Sequence, residues 1–272
     1  MQAPSSWNPP GGSLGRIVAE ARDRIAALRA QRFALEAAVR TAPPGPSFLD
    51  ALRAGDVSVI AEVKRRSPSK GVINTAIDAA GQARAFRKGG AHAISVLTEG
   101  AHFGGSAEDL EEIRAVVPMP LLKKDFHVDP LQVLEARALR ASALLLIARA
   151  LSPAALADMA ALARDVGIEP LVEIRSEAEL ERAVAAGARA IGVNSRNLET
   201  LVIDPAVSER LVPLVPAGVI AVYESGVQSR ADVERAASLG ADAVLVGSAL
   251  SASPDPAAAV RALTGVPKAR RG

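Results

Sequence analysis

Val57-Ser58-Val59-Ile60-Ala61-Glu62-Val63-Lys64-Arg65-Arg66-Ser67-Pro68-Ser69-Lys70-Gly71 begins as an apolar strand and ends as a charged turn. Side chains alternate across a strand, so Glu62 and Lys64 share one face, where a charged pair would be costly inside an apolar core. That places the strand's end at a site. Ser67 to Gly71 then supplies hydroxyls, a cation and a flexible glycine, a turn chemistry suited to holding an oxyanion. Alone, the segment reads equally well as a strand fading into a surface loop, and the rest of the chain decides between the two.

After residue 56, short β-branched runs alternate with longer Ala-, Leu-, Glu- and Arg-rich segments of helical period, the pattern of a parallel sheet wrapped by helices. Strands are predicted at 57–63, 93–98, 120–124, 143–148, 170–174, 190–194, 219–224 and 243–247. Eight β/α units in about 210 residues fit a closed (β/α)8 TIM barrel of the α/β class. The turns Gly90-Ala91-His92-Ala93, Gly187-Ala188-Arg189-Ala190 and Gly240-Ala241-Asp242-Ala243 mark helix C-caps feeding the next strand, so their glycines are structural. Ahead of the barrel, 1–13 is rich in Pro, Gly and Ser and reads as a mobile lead-in carrying Trp7, the only tryptophan. An amphipathic stretch, 14–40, reads as one added helix, closed by Thr41-Ala42-Pro43-Pro44-Gly45-Pro46. The expected organisation is an N-terminal extension over 1–46, a single barrel domain over 47–265 and a basic tail over 266–272, solvated and disordered by default.

Composition narrows the chemistry. At 272 residues and 49% hydrophobic content the chain has ample material for one large core. It contains no cysteine, and its three histidines, His92, His102 and His127, lie far apart, so disulfides and a zinc site are not expected. Lys+Arg 32 against Asp+Glu 30 leaves a formal +2, too small an excess for a nucleic-acid surface. No apolar run is long enough to span a bilayer and no secretion signal opens the chain, so a cytoplasmic protein without membrane or nucleic-acid partners is expected.

The predicted strands finish in Glu62 and Lys64, Lys124-Asp125, Glu173, Asn194 with Arg196, and Glu224-Ser225-Gly226, and barrel enzymes build their sites at this C-terminal rim. By alternation Leu122 shares a face with Lys124, Leu171 with Glu173 and Val222 with Glu224, so an inward apolar layer is capped by an inward charged one. Gly226 after the seventh strand and Gly247-Ser248 after the eighth stand where barrels commonly bind phosphate, with Ser67 and Lys70 able to complete the grip. Without a nicotinamide fingerprint, a metal cluster or a Ser/His/Asp arrangement, what remains is acid–base chemistry, with Lys124 and Glu173 the best-placed pair. A Schiff-base lysine is the alternative, but it needs a depressed pKa, and neighbouring Glu62 and Asp125 argue against one.

Taken together the motifs resemble indole-3-glycerol phosphate synthase. The likeness runs from about residue 14 to the last helix and rests on eight segments in the family's order. The first four are Ile60 to Gly71, Ser95-Val96-Leu97-Thr98-Glu99 with Phe103-Gly104-Gly105-Ser106, Leu122-Lys123-Lys124-Asp125-Phe126, and Leu144-Leu145-Leu146-Ile147. The others are Leu171-Val172-Glu173-Ile174, Gly192-Val193-Asn194-Ser195-Arg196-Asn197-Leu198, Glu224-Ser225-Gly226-Val227 and Val246-Gly247-Ser248.

The resemblance implies a lyase of tryptophan biosynthesis that needs no cofactor or metal. It would decarboxylate, cyclise and dehydrate a phosphosugar-anthranilate, 1-(2-carboxyphenylamino)-1-deoxyribulose 5-phosphate, working as a monomer or weak homo-oligomer. It implies Lys124 as general acid in ring closure, Glu173 handling the proton of dehydration, and Lys64 on the anthranilate carboxylate with a share in the acid work. Glu62, Asn194, Arg196, Glu224 and Ser225 would order the polar network. Ser67, Gly226, Gly247 and Ser248 would hold phosphate, and Phe103, Phe126 and Leu146 would line the aromatic end. It also implies that 14–40 lies over the C-terminal mouth of the barrel as a partial lid. The chain departs from the family pattern at Gly100-Ala101-His102, which bears on loop contacts, and at Asn197, where an aspartate is more usual. Two other readings are a phosphosugar isomerase, disfavoured by the Lys124–Glu173 pair, and a silent scaffold, for which a charged mouth would serve no purpose.

Overall fold

A computed structural model describes residues 7–269 and Arg271. Eight parallel strands close into a barrel: β1 (Ser58–Val63), β4 (Ala93–Leu97), β5 (Leu121–Lys124), β6 (Ala143–Ile147), β7 (Glu169–Ile174), β8 (Ala190–Asn194), β9 (Ile220–Glu224) and β10 (Ala243–Val246). The two remaining strands, β2 (Arg66–Ser67) and β3 (Gly71–Val72), form an antiparallel hairpin within the loop after β1. Each barrel strand lies within one residue of its expected bounds at either end, because β-branched runs bounded by Gly and polar turns leave little freedom in register. Gly90, Gly187 and Gly240 adopt φ of +92°, +71° and +87°, the left-handed turn that the repeated Gly-Ala motif requires.

Alternation sorts the strands' side chains into two cores. One face of each strand packs with the surrounding helices, and the other fills the barrel. Inside, Ile60, Leu122, Leu171 and Val222 come from β1, β5, β7 and β9, and Ala93, Ala143, Ala190 and Ala243 from the strands between them. Large residues from one set of alternate strands are matched with small ones from the other, which fills the taper without voids. Two residues further along β1, β5, β7 and β9 stand Glu62, Lys124, Glu173 and Glu224. These charged groups are therefore the next layer of the core, in line with the apolar layer beneath.

Both ends of the barrel are covered by the segment that precedes it. The single helix expected over 14–40 is instead two, α1 (Gly12–Ala30) and α2 (Arg32–Thr41), broken at Gln31. Leu14, Ile17, Val18, Ala21 and Ile25 form a buried stripe on α1, which packs on the mouth beside Phe126, Ile147 and Ala150. That stripe has no continuation in α2, which has no buried residue and lies against the helix Pro130–Ala138. No glycine or proline marks the break. A third helix, α3 (Phe48–Leu52), was not expected. Ser47 caps it, and Phe48, Leu49 and Leu52 join the inner core at the opposite end, beside Ala93, Ile220 and Ala243.

Two expectations about the ends need correction. The lead-in 1–13 lies partly outside the described residues, but from Trp7 onward it is tethered: Trp7 donates its indole N–H to the Arg149 carbonyl, and Gly11 N–H to Glu199 Oε1 at 3.0 Å. In the basic tail, Lys268 Nζ donates to the Leu52 carbonyl at 2.8 Å and Arg271 to Asp242 at 2.8 Å, so these cations are anchored under the barrel by bottom carbonyls and a carboxylate. Among the described residues no helix is long and apolar enough to cross a membrane. Leu52 has no exposed surface, so Leu52→Ala is expected to cost about 2–5 kcal/mol in urea unfolding. A loss below about 1 kcal/mol would show that α3 does not close the barrel floor.

Candidate active site

The inward charged layer forms two hydrogen-bonded groups, one around Lys124 and one around Glu62. Lys124 Nζ donates to Glu224 Oε2 at 2.6 Å and to Glu173 Oε2 at 3.3 Å. Lys64 Nζ donates to Glu62 Oε1 at 3.0 Å, and Ser95 Oγ to Glu62 Oε2 at 3.2 Å. Ser95 enters the site through the same alternation, since it lies two residues beyond inward Ala93, and that spacing was available in the sequence. Asn194 Oδ1 accepts from Ser225 Oγ and from the Arg196 backbone N–H, both at 2.8 Å. Ser225 has φ of +68°, a left-handed conformation for a non-glycine residue, which that hydrogen bond helps hold. Gly192 and Gly247 leave room for the carboxylates: a Cβ at either would come within 2.1 Å of Glu224 Oε1 or 2.3 Å of Glu62 Oε1.

Burial and charge act against each other here. Burial pulls the Lys124 ammonium toward neutrality, but Glu224, Glu173 and Glu62 outweigh it and hold its pKa well above the ordinary lysine range. That direction runs against a Schiff-base role, which needs a depressed lysine. Asp125 is not one of these restraints. It turns to Arg24 of α1 at 3.0 Å, to Thr98 at 2.8 Å and to Lys123 at 3.6 Å. Burial also raises Glu62, yet Lys64 and Lys124 overcome it and its pKa falls below the usual value. Glu224 goes the other way: burial, only partly offset by Lys124 and reinforced by the Glu173 charge, pushes it up to about 8.

Around these groups lies a cavity of about 370 Å³. Ser67, Gly226, Gly247 and Ser248 are among the residues that line it. The Ser67 hydroxyl accepts the Lys70 N–H at 3.1 Å, closing the hairpin turn, and Gly226 takes φ of +93°. Ser248 opens a short helical turn, Ser248–Ser251, whose first N–H groups have no intrahelical acceptor. Elsewhere in the wall, Phe103 and Phe126 stand with ring centroids 6.1 Å apart, and Lys64 Nζ lies 5.9 Å from the Phe103 centroid. Arg196 also lines the cavity, its guanidinium donating to the Leu201 carbonyl at 2.8 Å. Leu146 does not line it. It is fully buried in the outer core, and Leu145 and Ile147, its neighbours on the other face of β6, border the cavity instead. Alternation from inward Ala143 would have given that answer. Ile17, Leu198 and Ile203 complete the apolar wall, and nothing in the local sequence marks them, because loop and helix packing brings them there.

Fold and site together define a (β/α)8-barrel enzyme with acid–base groups and an anion-suited rim at its C-terminal mouth. The indole-3-glycerol phosphate synthase family model matches residues 14–263. Indole-3-glycerol phosphate synthase 2 of Streptomyces coelicolor is 46% identical over 256 residues, 93% of this chain and 99% of its own. A relative of the same name from Nocardioides sp. is 50% identical over 232 residues, covering 85% of this chain and 89% of its own. The chain belongs to the indole-3-glycerol phosphate synthase family. It is thus a decarboxylating lyase of tryptophan biosynthesis, acting on a small phosphosugar substrate. Among solved structures, 3-hexulose-6-phosphate synthase from Salmonella typhimurium matches with a TM-score of 0.62 at 16% identity, over 76% of this chain and 96% of its own, a likeness of fold alone.

Two expectations follow from this geometry. A methyl group at Gly192→Ala displaces the Glu224 carboxylate, so turnover should fall at least about tenfold, checked against an unchanged far-ultraviolet spectrum. Glu224 has a folded pKa of about 8 against an ordinary 4.5, so its contribution to stability is complete below 4.5 and lost as pH rises through 8. Glu224→Gln, which cannot ionise, should gain stability relative to the parent between about pH 5 and about pH 9 in thermal unfolding. An unchanged difference across that range would rule out the buried proton.

Proposed function

We propose that this mouth converts 1-(2-carboxyphenylamino)-1-deoxyribulose 5-phosphate to indole-3-glycerol phosphate with Lys124 as the acid of ring closure and Glu173 as the base of dehydration. The observation that carries the assignment is the Lys124 ammonium shared between Glu224 and Glu173 over the cavity. A proton donor and a proton acceptor thus face the same space, backed by carboxylates that keep the donor charged.

The ring carbon that carries the carboxylate attacks the ketone carbon while Lys124 gives a proton to the ketone oxygen. Loss of carbon dioxide returns an electron pair to the ring and restores aromaticity. The new hydroxyl takes a second proton and leaves as water, and Glu173 removes one proton from the methylene carbon beside the nitrogen, completing the indole. Two protons enter and one is withdrawn, so each turnover draws one proton from solvent. Lys64, held by Glu62 and close to the Phe103 ring, is placed for the anthranilate carboxylate and for a share of proton donation. The N–H groups around Gly226, Gly247 and Ser248, with the Ser67 turn, suit the phosphate. The aromatic pair and Ile147 hinder solvation of the departing carboxylate. Asn194, Ser225 and Arg196 keep the β8 and β9 loops in register with the charged layer.

Lys124 acts on a charge that develops only as the ketone oxygen is attacked, whereas phosphate contacts act throughout. Lys124→Ala is therefore expected to lower kcat by about 10²- to 10⁴-fold with KM changed no more than about threefold. Indole fluorescence on addition of the substrate measures it, and near-normal turnover would remove the assignment.

A further inference from the structure

The first strand outruns its neighbour. In a parallel sheet each residue turns its N–H and C=O toward one adjacent strand, and the next residue turns them toward the other. At the start of β1 the Ser58 N–H meets the Asp242 carbonyl, just before β10, at 2.9 Å, and the Val59 N–H meets the His92 ring, just before β4, at 3.1 Å. Ser58, Ile60, Glu62 and Lys64 therefore face β10. Yet β10 pairs with β1 only as far as Ala61 and Val246, after which it turns into Ser248–Ser251. The Glu62 carbonyl and the Lys64 N–H lie past that end.

One hydroxyl takes both. Ser251 Oγ donates to the Glu62 carbonyl at 3.1 Å and accepts the Lys64 N–H at 3.2 Å. It supplies the donor and the acceptor that a further residue of β10 would have offered. Its remaining lone pair faces the Gln82 amide of the helix Ala79–Gly89 at 3.5 Å, so the one donor and two acceptor sites of the hydroxyl are all engaged. Ser251 and Glu62 are each 2% exposed, which leaves solvent little access to replace these bonds. The same turn also confines the side chains: a Cβ at Gly247 would come within 2.3 Å of Glu62 Oε1 and 3.3 Å of Lys64 Cδ.

We propose that Ser251 is a positioning residue for Lys64, fixing the peptide from which this lysine enters the cavity. The inference rests on the part given to Lys64 in the proposed reaction. Among the described residues the Lys64 ammonium pairs with one carboxylate, Glu62, whereas Lys124 is held between two. The direction of Lys64 therefore depends more on its backbone, and Ser251 is what continues the β1 ladder on the β10 side to that residue. Ser251 itself does not line the cavity, so it acts only through what it holds. Without the hydroxyl a buried N–H and a buried carbonyl lose their partners, and the end of β1 must shift to satisfy them. The ammonium then no longer keeps one approach to the carboxylate and the ketone oxygen.

Ser251→Ala removes the hydroxyl and little else. The expected result is a kcat/KM lowered about tenfold with an unchanged far-ultraviolet spectrum. Lys64→Met should lower kcat/KM about 30-fold, leaving the turnover that Lys124 sustains. Ser251→Ala added to Lys64→Met should then cost no more than about a further twofold, because two changes acting through one group are not additive. A general structural defect would instead lower both backgrounds alike. If Ser251→Ala does not fold, Ser251→Cys, which keeps the shape and weakens both hydrogen bonds, is carried through the same cycle. A parental kcat/KM in the folded Ser251 variant overturns the positioning role, and so does an equal loss with and without Lys64. A parental kcat/KM in Lys64→Met would overturn the part given to Lys64, and failure of the parent protein to turn over the substrate would overturn the proposed function itself, so the ideas fail separately.

Discussion

Lys124 sits between Glu224 and Glu173 on top of a core of leucine, isoleucine, valine and alanine, with its side chain 13% exposed at the cavity and the two carboxylates buried. Taking such ions out of solvent costs on the order of several kcal/mol each, and only tight pairing and further hydrogen bonds offset it. That requirement organises the mouth. Glu62 needs Lys64 and Ser95, Glu224 needs the space that Gly192 leaves, and Asn194 needs Ser225 in a left-handed turn. The charged layer follows the geometry of the apolar layers, with one side chain from each of four alternate strands, so its groups arrive at mutual contact distance without any loop having to place them.

The segment before the barrel makes this arrangement durable. At one end α3 closes the floor with Phe48, Leu49 and Leu52, and at the other α1 covers part of the rim with Leu14, Ile17 and Val18. Arg24 of α1 meets Asp125, whose other oxygen holds Thr98, and Asp125 also accepts the backbone N–H of Phe126 at 2.8 Å. The lid helix is thus tied to the residue that carries one ring of the aromatic wall. The chain uses one short extension both to exclude water from the core and to shape the cavity.

Electrostatically the site carries two lysines and three glutamates, which leaves one negative charge in excess when all are ionised. Burial pushes the Glu224 carboxyl up to about 8, so of the three it is the one whose charge is held least firmly. Glu224, Glu173 and Glu62 together hold the Lys124 ammonium in its charged form, and all four groups line the same cavity.

Much of this was legible in the residues. Eight short apolar runs, five of them ending in charged or amide residues, marked out the barrel, its strand bounds and the shared inward face of Glu62, Lys124, Glu173, Asn194 and Glu224, because strand alternation is a local rule that tertiary packing seldom breaks. The break at Gln31, the plug at Phe48 and the anchoring of Lys268 were not legible, since each depends on partners far away in the chain. Leu146 is the instructive case: resemblance placed it in the pocket, and the pleat of β6 turned it outward. The sequence by itself determined which residues face inward and what chemistry they can offer. Only the tertiary structure decided how far Lys124 stands from each carboxylate and which of them is pushed furthest toward its protonated form, because those depend on distances and burial set by strands and loops that meet only when the barrel closes.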